Sequence, residues 1–80
     1  MRTILSVNWN YREPGRARIK REAEVVKRLK EAGIEYDFEK SGGIGSNKYL
    51  LHGTTVPASV KRLTRIVGYY DQQNNFIFPN

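Results

Sequence analysis

TTVPASVKRLTRIVG, residues 54–68, is the stretch whose reading decides the fold. Pro57 suits the first position of a helix, where its missing N–H has no partner to lose, and Gly68 is a natural stop. Val60, Leu63, Val67 and, just beyond, Tyr70 recur at helical spacing, with Ile66 beside them. Lys61, Arg62 and Arg65 then fall on the opposite arc. The expectation is a second helix.

The rest of the order follows outward from it. TILSVNW, residues 3–9, alternates and is rich in β-branched and aromatic residues, which predicts a first strand with Trp9 in the core. NYREPG breaks it with turn chemistry. RARIKREAEVVKRLKEAG, residues 16–33, reads as a long helix ended by Gly33. Its apolar face is Ile19, Ala23, Val26 and Leu29, with Val25 at the margin. The polar side is laced with pairs four apart: Arg18–Glu22, Lys20–Glu24, Glu24–Arg28 and Lys27–Glu31. Arg16, Lys20 and Lys27 fall within about 40° of one another on the wheel, a narrow basic stripe.

IEYDFEK, residues 34–40, alternates as a half-buried strand, with Ile34, Tyr36 and Phe38 inward and Glu35, Asp37 and Glu39 outward. KYLLHG, residues 48–53, is a third strand, and FIF, residues 76–78, a short last one. The order β-α-β-β-α-β predicts a single α+β domain over residues 1–80. Its expected architecture is ferredoxin-like, with two helices on one face of a small antiparallel sheet. The runner-up is a three-stranded sheet on which FIF is a packed tail.

Eighty residues bury only roughly 60–65% of the surface that the unfolded chain exposes, too little for an enclosed cofactor cavity. With no cysteine there is neither a disulfide framework nor a thiolate metal site. No cofactor is expected. The longest N-terminal apolar run, ILSV, is too short for a signal peptide or a membrane span, so a cytoplasmic location without membrane partners is expected.

The formal charge of +6 is unevenly spread. Residues 12–30 hold eight basic and three acidic side chains, residues 31–39 four acids, and residues 40–65 five bases without an acid. Such an excess favours polyanionic partners.

No motif names a reaction. SGGIGSNK, residues 41–48, has glycine and lysine at P-loop spacing, but Asn47 stands where glycine is needed and Tyr49 where Ser or Thr would hold magnesium. A strand follows rather than a helix, so a glycine-rich hairpin loop is the simpler reading. Its amides beside Lys40 and Lys48 could still accept a phosphate. His52, the single imidazole, has no spaced partner set for a metal and no legible nucleophile. A helix, a basic hairpin and a second helix resemble the HicA-type messenger-RNA interferases. Their histidine follows a Gly-Ser pair, whereas Gly45-Ser46 is followed by Asn47, so that activity is not carried over. ILSVNW is similar to the shorter strand motif of RNA-recognition domains, but the acids of residues 35–39 would repel phosphate from that sheet face.

No catalytic or metal-binding residue is therefore expected. The function expected is non-catalytic binding to nucleic acid or a nucleic-acid-handling complex, through Arg16, Lys20, Lys27, Lys40, Lys48, Lys61, Arg62 and Arg65. One alternative is a small phage or mobile-element inhibitor, for example of a CRISPR or transcription complex, that binds an acidic protein or nucleoprotein surface. A second is a small ribonuclease using His52. Exposed edge strands could also pair between copies into a homodimer.

Overall fold

The computed structural model describes residues 1–40 and 47–80. The glycine-rich loop of residues 41–46 lies outside them. In chain order the elements are β1 (Arg2–Val7), α1 (Gly15–Glu31), β2 (Tyr36–Glu39), β3 (Lys48–Leu51), α2 (Ala58–Lys61), β4 (Thr64–Tyr70) and β5 (Phe76–Ile77). They form a small α+β fold with two helices and a five-stranded sheet of order β2-β3-β1-β4-β5, every neighbouring pair antiparallel.

The stretch over residues 54–68 departs from the helical expectation. Only Ala58–Lys61 is helical, a single turn entered through Pro57. Thr64 then donates its hydroxyl to the carbonyl of Val60 at 2.8 Å, and the chain leaves as β4. Thr64, Ile66, Val67, Tyr69 and Tyr70 are β-branched or aromatic, and a short apolar run satisfies helical and extended periods alike. Pairing with β1 along its whole length, from Arg2↔Tyr70 to Val7↔Thr64, decides for the strand. The strand beyond the four expected is therefore β4 itself, and the expected last strand, Phe76–Ile77, pairs with its Tyr69 and Tyr70 as the edge of the sheet.

α1 ends as its sequence predicts. Gly33 sits at φ 70°, donating to the carbonyl of Lys30 at 3.1 Å, while Ile34 donates to Leu29 at 2.9 Å, the two bonds of a Schellman cap. Its buried face is Val25 and Leu29, which meet Leu5 and Val7 of β1, Tyr49 and Leu51 of β3, and Val60 in one core. That face is rotated from the expected one: Ala23 is exposed and Ile19 is 62% exposed. Phe38 is also 51% exposed, against the burial its alternation suggests, because β2 is an edge strand; its ring lies against Tyr49, centroids 5.2 Å apart. Tyr49 ties sheet to helix. Its hydroxyl donates to Glu22 at 3.2 Å, and burial together with that carboxylate pushes the phenol well above its ordinary pKa.

Strand alternation sends Ile4, Ser6, Lys48, Leu50, Asp37 and Arg65 to the face opposite this core. Near the β5 edge that face is closed by Phe76, whose ring lies against Gly68. The β4–β5 turn is fastened by Asp71, which accepts from the backbone N–H groups of Asn75 and Gln73 at 2.8 Å each; the bond from Asn75 is the main reason its carboxyl titrates below the usual range.

Candidate nucleic-acid interface

The end of β1 opens into a cleft of about 450 Å³ lined by Ser6, Val7, Asn8, Trp9, Asn10, Glu13, Arg21, Arg62 and Arg65. Local hydrogen bonds explain its shape. Asn8 donates its backbone N–H to Leu63 at 2.8 Å and its side-chain amide to the carbonyl of Arg62 at 3.4 Å, which holds the outgoing chain beside the α2–β4 corner. Asn10 turns the chain, its side-chain oxygen accepting from the N–H of Arg12 at 3.0 Å. From α1, Arg21 grips both oxygens of Glu13, at 2.8 and 3.1 Å, and the carbonyl of Asn8 at 2.5 Å. Residues 8–13 are thus clamped at both ends, and Trp9 is held half-buried in the wall between them.

Arg21 is neutralised by Glu13, whereas Arg62 and Arg65 are exposed and have no acidic partner among the described residues. Register adds a third cation. Ser6 of β1 has Lys48 as its partner on one side and Arg65 on the other, so both project from the same face. Glu39, opposite Lys48 on β2, is the nearest counter-charge by register. The arrangement offers guanidinium forks for phosphate, an ammonium beside them and an indole against which a base can stack.

Of the eight expected binding residues, the structure gathers Arg62 and Arg65 in the cleft, with Lys48 adjacent. Arg16, Lys20 and Lys27 are exposed along α1, and Lys40 is exposed just past β2. Lys61 faces elsewhere, lining a separate hollow of about 680 Å³ with Met1, Thr64, Ile66 and Tyr69. The single arc of Lys61, Arg62 and Arg65 expected on a second helix does not exist, because Arg65 belongs to β4. Strand alternation puts Trp9 in the core and gives no reason to single out Asn8, Asn10 or Arg21. The signal available was NWN itself, an aromatic between two turn-forming amides where a strand gives out.

His52 lies at the other end of the sheet. Its Nδ1 is 3.1 Å from Glu35 and its Nε2 3.0 Å from Asp37, both across the β2–β3 pair. The bond to Asp37 first, then that to Glu35, raises its pKa above the ordinary value. Among the described residues no group of three or more His, Cys, Asp or Glu side chains is placed to hold a metal ion, and no helix is long and apolar enough to cross a membrane.

No protein family matches the chain, and no curated protein or solved structure matches it significantly.

Proposed function

We propose that this protein is a non-catalytic module that binds single-stranded nucleic acid in the cleft at the end of β1. The observation that carries the reading is the meeting of Arg62, Arg65 and Trp9 around one polar hollow, with Lys48 beside it. Unpaired guanidinium groups supply sequence-independent phosphate affinity, and an indole supplies a stacking platform that accepts any base. The acids Glu35, Asp37 and Glu39 run along β2 on the same sheet face, the last of them opposite Lys48, which disfavours laying a strand across the whole sheet. The sole histidine stands at the opposite end from the cleft and already serves two carboxylates, which favours binding over cleavage. We further read β1-α1-β2-β3-α2-β4 as a ferredoxin-like core. β1 and β2 flank β3, β3 and β4 flank β1, and β5 is an appended edge.

The chain's one tryptophan makes the test direct. Titration with a short oligothymidine at low salt should quench Trp9 fluorescence. Trp9→Ala should cost about 1–3 kcal/mol of binding, the range for one stacked base, as followed by anisotropy of labelled oligonucleotide. Arg62→Gln with Arg65→Gln should weaken binding to every sequence alike. No quenching at low salt would end this reading and assign the same guanidinium forks to an acidic protein surface instead.

A further inference from the structure

We propose that the free edge of β2 takes up an extended protein segment of alternating apolar and basic residues, added to the sheet as a sixth strand. Among the described residues, β2 is the last strand of the sheet on its side. The N–H of His52 donates to the carbonyl of Glu35 at 3.1 Å, which fixes the phase of the ladder. Asp37 and Glu39, two and four residues on, turn their backbone groups toward β3, and Tyr36 and Phe38 turn theirs outward. An edge of this kind is a template for strand addition.

The two faces beside that edge differ sharply in chemistry. On the helix side lies a groove of about 440 Å³ lined by Ile19, Ala23, Val26, Tyr36 and Phe38. Ile19 is 62% and Phe38 51% exposed, so the apolar stripe of α1 overhangs the edge of the sheet uncovered by any described residue. On the other side Glu35, Asp37 and Glu39 stand exposed in a row, with His52 bridging the first two and Lys48 of β3 opposite the third, so the acids outnumber the cations beside them. An incoming strand would set every second side chain over the groove and the others beside the acids. Charge complementarity therefore selects apolar residues for one set and lysine or arginine for the other. A second copy of this chain fits poorly: antiparallel β2–β2 pairing would bring the two acidic rows face to face. Nucleic acid is repelled by the same row.

The probe is a capped seven-residue peptide alternating valine and lysine, with two comparisons: valine alternating with glutamate, and the first peptide's residues rearranged in two blocks. The alternating valine–lysine peptide should bind at least tenfold more tightly than either, and should slow amide hydrogen exchange at Tyr36 and Phe38. Phe38→Pro removes one outward N–H while leaving the ladder to β3 intact, and should abolish binding. Phe38→Ala, which keeps that N–H, should only weaken it. Asp37→Lys with Glu39→Lys, both at exposed positions, should invert the preference toward the glutamate peptide. Absence of binding, equal binding of the blocked peptide, or exchange protection away from residues 36–38 would overturn the proposal. So would a concentration-dependent dimer that protects the same two amides. None of these outcomes bears on the arginine cleft.

Discussion

His52 shows how a single exposed side chain can report on its surroundings. Both ring nitrogens face carboxylates, which favours the protonated ring relative to a free imidazole, and its pKa measured by NMR should lie above the ordinary 6.5. Asp37→Asn should lower it further than Glu35→Gln, because the Asp37 bond is the stronger cause. The sign of the linkage follows. A histidine whose pKa is raised on folding contributes stability that is complete below its unfolded value and is lost as pH rises through the folded one. Denaturation midpoints should thus fall on raising the pH through that window, and the fall should vanish in His52→Ala. Exposure likewise grades the apolar residues. Leu29, fully buried, should cost about 2–5 kcal/mol when cut to alanine, whereas half-exposed Phe38 should cost about 1–2 kcal/mol. Urea denaturation of the two variants makes that comparison.

Elements differ in how plainly their sequences announce them. α1 is legible because seventeen helical residues and a glycine cap leave no competing reading of their period. Its orientation is not, since Val25 and Val26 are both apolar and only contact with β1 and β3 chooses between them. β4 is illegible as a strand from local pattern alone. Val67 continues the helical spacing of Val60 and Leu63 just before the strand, and the decisive partner, β1, lies at the other end of the sequence. The cleft inherits the same difficulty: Arg62 and Arg65 are recognisable as cations, but their meeting with Trp9 depends on β4 being extended. β5 is held by a close fit of a different kind. A Cβ built at Gly68 would lie 2.5 Å from the Phe76 ring and 2.9 Å from the carbonyl oxygen of Ile77. Gly68→Ala should therefore displace β5 and cost about 1–3 kcal/mol by overpacking, visible as lost chemical-shift dispersion at Phe76 and Phe78.

At the level of the whole molecule, charge is divided between surfaces rather than pooled. Arg62, Arg65 and Lys48 gather at one end of the sheet, the lysines and Arg16 of α1 lie on the helix, and the acids line β2. A net charge of +6 consequently overstates what any one ligand meets. If three cations touch the phosphates, the logarithm of the association constant should fall against log salt with a slope of about −2, since each contact on a single strand contributes about −0.7. A slope near −4 would instead require the α1 stripe to join in. A salt series on the wild type and on Lys20→Gln with Lys27→Gln separates the two cases.

The placement of β1 also bears on how the protein is made. Its Ile4 pairs with Leu50 on one side and Gly68 on the other, so the earliest strand to leave the ribosome is the one that waits longest for both neighbours. At synthesis rates of about 5–20 residues per second, that wait is roughly 3–12 s. Until β4 is made, the nascent Ile-Leu-Ser-Val segment can pair on its β3 side alone, and the sheet closes through contacts of high contact order rather than growing strand by strand.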